Sequence, residues 1–242
     1  MKYVTFTNTG SVELCDNFLQ SAKNLGMDKD IIVYCLDDCR EYFSDRFQST
    51  FRDFKTDQIE SSFHEYGQSE FRRVTENKVK IILDALEHDD SIVYTDCDVV
   101  FRKNPIDYIL ENDRDDVDIF FASDLPFMLM CTGFMYIKNR AVIKELFGNY
   151  FNLNRQYNET KNEHMFDQEI INLILSDREN LTNIKYGVYP LDFVANGHTY
   201  FSESTQTGNE CVVHVNFTIG KTSKINRLKE KNLWFTTMES IS

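Results

Sequence analysis

The chain has 242 residues, 42% of them hydrophobic and 14% aromatic, with a formal net charge of −13. It is long enough to bury a full core, and its acidity argues against a nucleic-acid backbone as partner, because phosphate contacts need a basic surface. No apolar run approaches the roughly 18 residues that span a bilayer, and Met1–Phe6 enters a strand without a signal-peptide core, so the expectation is a cytoplasmic protein with no transmembrane segment.

Lys2 to Thr7 reads as a strand, followed by a polar turn, Thr7-Asn8-Thr9-Gly10-Ser11, and a helix from about Val12 to Leu25 that Gly26 ends. Ile31 to Leu36 is a very apolar strand running into Asp37-Asp38. Strand, helix and strand within that length form a βαβ unit, hence a parallel sheet with a right-handed crossover. Ligands of such sheets sit beyond the carboxyl ends of the strands, where Thr7, Asn8, Asp37 and Asp38 fall. Arg40 to Glu70 is polar with weak periodicity and is expected to be irregular or to form short helices. Phe71 to Leu86 is a helix with a stripe of Val74, Ile81, Ile82, Ala85 and Leu86; Lys78 lies on that stripe and either snorkels to the surface or points at an anion in a cleft.

The stretch Val93-Tyr94-Thr95-Asp96-Cys97-Asp98-Val99-Val100-Phe101 puts two acids one residue apart between apolar flanks. On a continuing strand their side chains would point the same way and reach one Mn²⁺ or Mg²⁺. The structural alternative is a polar strand end feeding a turn. Asn104-Pro105 stops this segment. Asp118 to Ser123 and Thr132 to Ile137 are further strands, the second entered through Cys131 and Gly133. A helix runs from about Arg140 to Tyr150, and the Asn-rich stretch Asn152 to His164 has loop composition. Asp167-Gln168 opens the next helix. Cys211 to Val215 is a strand bearing His214, and a basic helix finishes near Trp234. The six cysteines lack paired metal spacing and read as reduced thiols, while the sequons at Asn158, Asn180 and Asn216 are expected to be idle. No repeat or linker divides the chain, so one domain over residues 1–242 is the economical reading.

Asp96-Cys97-Asp98, Cys131-Thr132-Gly133-Phe134, Asp167-Gln168, Asn196-Gly197, and His214-Val215-Asn216 with Gly220 and Lys224 occur in an order that resembles the nucleotide-diphospho-sugar transferases of GT-A fold. Within these the chain is similar to the family that includes plant cell-wall arabinosyl- and xylosyltransferases. The resemblance implies an α/β fold with a mostly parallel sheet flanked by helices, a nucleotide-diphosphate sugar donor, more often UDP than GDP, and a saccharide or other hydroxyl acceptor. It implies Mn²⁺ or Mg²⁺ held by Asp96, Asp98 and His214, with Asp96 nearer the ribose. Thr7 and Asn8 would cradle the base and ribose. Gly220 and Lys224, or Lys221 in its place, would close over the diphosphate, Lys78 would belong to the nucleotide-sugar site, and Asp124, Asp167 and Gln168 would face the transferred sugar and the acceptor.

Each residue also has a structural reading. His214 alternates with two valines and suits a solvated or hydrogen-bonded position; Asp167 suits a helix start; Thr132-Gly133 suits a tight turn; the lysines from Lys221 on suit a solvated helix face. Two other functions compete. Strand-Asp-x-Asp-x-Val is similar to the nucleophile motif of haloacid-dehalogenase-type phosphatases, with Asp96 attacking phosphorus, but no late Gly-Asp-x-x-x-Asp segment follows. A non-catalytic nucleotide-sugar-binding module on the same fold is the other.

Overall fold

The computed structural model describes residues 1–43, 45–54, 62–64, 69–126, 130–160, 165–176, 183–202 and 206–236. Seven strands make the main sheet: β1 (Lys2–Thr7), β2 (Ile31–Cys35), β3 (Thr50–Asp53), β4 (Ser91–Thr95), β6 (Ile119–Ser123), β7 (Met130–Lys138) and β8 (Tyr186–Val188), in the order β3-β2-β1-β4-β7-β6-β8. All run parallel except β7, which is antiparallel to both β4 and β6. A smaller sheet joins β5 (Val99–Phe101), β10 (Val212–His214) and β9 (Val194–Ala195), with β10 in the middle.

Both faces of the main sheet are covered, which is why its central strands read as continuous apolar runs. Tyr3, Ile31, Val33 and Val93 point to one side, against Cys15, Phe18, Leu19 and Ala22 of α1 (Val12–Asn24). Val4, Ile32, Tyr34 and Tyr94 alternate to the other, against α2 (Ser69–Leu86), α4 (Ala141–Thr160) and α5 (Asp167–Ser176). Helix α1 ends as expected: Gly26 takes φ 71° and the Met27 N–H donates to the Ala22 carbonyl. Two short helices, α3 (Ile106–Glu111) and α6 (Gly197–Tyr200), and the terminal α7 (Lys221–Glu230) complete the fold. Leu228 of α7 packs with Leu14, Val100, Val213 and Val215 in a third cluster. No described helix is long and apolar enough to cross a membrane.

Several expectations need correction. The acids do not ride on a continuing strand: β4 stops at Thr95, residues 97–98 turn, and β5 leaves for the smaller sheet. Residues 50–53 form a parallel edge strand within the segment expected to be irregular; the rest of that segment lies partly outside the described residues. The helix expected to stop near Tyr150 continues to Thr160, because the polar Asn154 is buried there with its amide donating to Glu76 Oε1 of α2 at 2.8 Å. Residues 161–164 of the expected loop and the sequon at Asn180 lie outside the described residues. Thr132 and Gly133 sit inside β7, not in a turn.

Candidate active site

The parallel strands β1, β2, β4 and β6 end at one edge of the sheet, and antiparallel β7 begins there, so Thr7, Asn8, Asp37, Asp96, Asp124 and Thr132 meet at that edge. The switch of sheets after Thr95 brings the distant histidine in. Val99 pairs with His214 in the antiparallel ladder of β5 and β10, and the Val215 N–H donates to the Asp98 carbonyl at 3.1 Å. His214 Nε2 then stands 3.2 Å from Asp98 Oδ1 and 3.8 Å from Asp96 Oδ2. One ligand atom from each of the three residues lies within 4.8 Å of the others. Two carboxylates and an imidazole in that arrangement fit a divalent cation, and the nitrogen donor suits Mn²⁺ or another transition metal better than Mg²⁺. The other ring nitrogen of His214, Nδ1, faces Cys131 Sγ at 3.6 Å.

Gly133 makes this approach possible. A Cβ built there would lie 2.1 Å from His214 Cε1 and 2.9 Å from Asp96 Oδ2, so any side chain at 133 pushes two of the three candidate ligands aside.

Two lysines set the charge balance. Lys224 on α7 pairs with Asp98 Oδ2. Burial works against the charge on Asp98, but Lys224 and His214 beside it hold its carboxyl well below the usual carboxylate range. Burial alone would depress His214, yet Asp98 and then Cys131 push it well up. Lys78 points into the cleft and does not snorkel: it is 5% exposed, with Nζ 2.8 Å from Asp167 Oδ2 and 3.1 Å from Asp96 Oδ1. Burial would lower its affinity for a proton, but Asp167 and Asp96 raise it well above the ordinary lysine value. Lys221 lies elsewhere, with Nζ 2.7 Å from Glu13 Oε2 on α1.

The acids away from the ligand cluster form a second network. Asp167 is the first residue of α5, and its carboxylate takes a 2.6 Å bond from Thr132 Oγ1, while Glu169 accepts from the Phe166 N–H at that helix start. Gln168 Nε2 donates to Asp124 Oδ2 at 2.7 Å and Asn216 Nδ2 to Asp124 Oδ1 at 3.1 Å. Burial pushes Asp124 up to about 6, against the lowering effect of His214 and of the Gln168 amide. At the ends of β1 and β2, Asp37 accepts from the Thr9 N–H, and Asn8 Nδ2 donates to the Ser62 carbonyl. Thr7 is buried, with its hydroxyl 3.0 Å from that of Ser11. Gly220 takes φ 88° just before α7 and so turns the chain that delivers Lys224.

Some contributors are quoted within the sequence motifs but have no role of their own in the sequence reading. Tyr94, fully buried, donates its phenol to Asp96 Oδ1 at 2.7 Å. Its place two residues before an acid, on one face of a strand, is a signal that alternation offers. Asn216 holds Asp124 and also accepts from the Gly197 N–H at 2.6 Å; nothing local predicts either partner.

A family model described as nucleotide-diphospho-sugar transferase matches residues 26–228. The chain belongs to the nucleotide-diphospho-sugar transferase family. Two curated relatives of this transferase chain are the UDP-galactose:fucoside alpha-3-galactosyltransferase of Dictyostelium discoideum, 25% identical over 99% of this chain and 44% of the relative, and the UDP-D-xylose:L-fucose alpha-1,3-D-xylosyltransferase 3 of Arabidopsis thaliana, 23% identical over 72% of this chain and 50% of the relative. The chain thus spans half of these relatives or less. Among solved structures it resembles the galactosyltransferase LgtC in complex with donor and acceptor sugar analogues (TM-score 0.64, 14% identity, covering 99% of this chain and 98% of that one). It also resembles the glycosyltransferase GlyE of Streptococcus pneumoniae TIGR4 (TM-score 0.63, 16% identity, 99% and 66%). At those identities the likeness concerns the fold, which is GT-A.

Proposed function

We propose that this transferase-family chain is a glycosyltransferase, acting as one catalytic domain over residues 1–242, that moves a sugar from a UDP-sugar to a hydroxyl of a fucoside. The observation that carries the reading is the convergence of Asp96 and Asp98, from the turn between β4 and β5, with His214 of the distant β10 at the carboxyl edge of the sheet, next to the buried Lys78 and the partly buried Lys224. The UDP donor and the fucoside acceptor are supported by the names of both curated relatives.

Asp96, Asp98 and His214 would hold Mn²⁺ or, less suitably, Mg²⁺. A divalent cation bound there would act as a Lewis acid on the diphosphate as it departs. Lys224 supplies a further positive charge to the diphosphate, and Thr7 and Asn8 stand where base and ribose enter. Asp124 and Gln168 face the transferred sugar, while Asp167, held by Lys78 and Thr132, fixes the wall beside them. An acceptor oxygen bonds to the anomeric carbon as the bond from that carbon to the diphosphate oxygen breaks. Both relatives are named for α-linked products, so retention of an α-donor's configuration is the matching outcome. On that route the incoming hydroxyl lies on the leaving group's face and passes its proton to the departing phosphate oxygen.

The test is UDP release from UDP-galactose and from UDP-xylose, with Mn²⁺ and with EDTA. UDP should form only with metal, and Asp98→Ala should abolish Mn²⁺-dependent donor binding while the protein stays folded. Release of inorganic phosphate from a phosphomonoester, or donor affinity indifferent to Asp98→Ala, would point away from sugar transfer.

A further inference from the structure

Of the seven large apolar or aromatic side chains exposed among the described residues, three fall in the two short segments that flank the Asp124 and Asn216 pair. Leu125, 47% exposed, follows Asp124; Phe217, 38% exposed, follows Asn216; Ile219, 66% exposed, comes two residues later. Single exposed apolar residues are ordinary, but a concentration at the mouth of a polar cleft is not.

These segments are held in place. Asn196 Nδ2 donates to the Leu125 carbonyl at 2.8 Å, and Asn196 also caps α6 by accepting from the Thr199 N–H at 2.9 Å. Asn216 is fixed from both sides by Asp124 and by the Gly197 backbone, and Gly197 has no space for a side chain, since its Cβ would lie 1.9 Å from the Asn216 carbonyl oxygen. Phe217 itself takes φ 55°, a left-handed conformation unfavourable for a bulky aromatic residue, and its ring meets that of His198 edge-on at 5.9 Å. A ring kept in a disfavoured backbone conformation at a cleft mouth marks a position shaped for contact.

The neighbouring Asp124, Asn216 and Gln168 are polar and hydrogen-bonded to one another. The one part of a sugar that an apolar rim reads better than these groups do is a methyl substituent. We infer that Leu125, Phe217 and Ile219 form a methyl-reading rim that selects a 6-deoxyhexose acceptor over the same hexose carrying a C6 hydroxyl. This rests on the fucoside-acceptor reading above and adds which residues select the sugar and by which atom. Water around the apolar rim is released against a methyl, whereas a hydroxymethyl group must lose part of its hydration there without gaining a partner.

Methyl α-L-fucoside and methyl α-L-galactoside differ only in that hydroxyl. Their kcat/KM values are to be measured side by side, with UDP-galactose and with UDP-xylose. The expected preference for the fucoside is on the order of tenfold to a hundredfold, the range that apolar pockets achieve. In a Phe217→Gly/Ile219→Ser double variant the ratio should fall to near one, and Phe217→Leu should retain most of it. Because the readout is a ratio within each protein, general loss of activity does not imitate the result. A ratio near one in the unmodified protein, or one untouched by the double variant, overturns the proposal while leaving sugar transfer intact. UDP release without transfer to either glycoside overturns the fucoside reading itself.

Discussion

Asp124 is a carboxylate enclosed by two amides, with its proton affinity set mainly by burial. Its folded value of about 6 lies above the unfolded value near 3.9, so its protonated form is the one that folding favours. The stability it contributes is therefore fully present below about pH 4 and is lost as pH rises through about 6, a span worth about 3 kcal/mol at most. Asp124→Asn should remove this dependence. Urea unfolding of the metal-free protein from pH 5 to 7.5 should show the unmodified protein losing stability relative to the variant as pH rises, and a flat difference would refute the assignment. Activity runs the other way, since the carboxylate that accepts from Gln168 and Asn216 is the form above about pH 6. UDP release by the unmodified protein should fall below that pH. Lys78 belongs to the same scale: its ammonium answers both Asp96 and Asp167, and a neutral residue there would leave two acids close together in a buried site.

At the scale of elements, α7 is fastened to α1 at both ends. Lys221 meets Glu13 at its start; beyond its end, Asn17 donates to the Leu233 carbonyl and accepts from the Phe235 N–H, and Thr236 bonds Asp16. Glu13, Asp16 and Asn17 share one face of α1 at helical spacing, so a single helix surface anchors the element that carries Lys224. Asn17→Ala strips partners from two backbone groups and should cost about 2–4 kcal/mol in urea unfolding, whereas Asn17→Asp, which can still accept from Phe235, should cost less. The two α7 lysines should separate by function. Lys221→Ala leaves the buried Glu13 carboxylate without its ammonium partner, costs about 1–3 kcal/mol of stability, and should leave the donor dissociation constant in place. Lys224→Ala should weaken donor binding by about 1–3 kcal/mol, read by calorimetry. Equal effects of the two substitutions on donor binding would refute this division.

Over the whole molecule, the proposed donor site draws on β1, β4, β7, β10 and α7, which would tie ligand binding to global folding. A ligand at a hundredfold its Kd adds about 2.7 kcal/mol, and in a chain of this size each kcal/mol raises Tm by about 2–4 °C. UDP with Mn²⁺ should therefore raise Tm by about 5–10 °C, and UDP with EDTA by distinctly less. No shift with the pair would remove the basis for a UDP site.

The parts legible in sequence are those where local chemistry and burial agree. Strands β1, β2 and β4 alternate between two covered faces, and α1 repeats its apolar residues at helical spacing and stops at Gly26. The parts that were not legible took their form from distant partners. The edge strand Thr50–Asp53 has no buried face to pattern it, and the last turns of α4 are polar because Asn154 docks on Glu76. The order of the motifs along the chain, Asp96 and Asp98, then Thr132-Gly133, Asp167-Gln168 and His214, was enough to identify the family. It was not enough to say that the acids sit at a switch between sheets, that Lys78 turns inward, or that Lys224 and not Lys221 meets Asp98. Residue types and their periodicity act within a turn or two of chain, so a sequence determines its own elements and their apolar faces. Which charges neutralise one another across 18 to 126 residues of separation is decided only when the sheets pack, because a buried ion pair forms where the fold brings opposite charges together and excludes water from both.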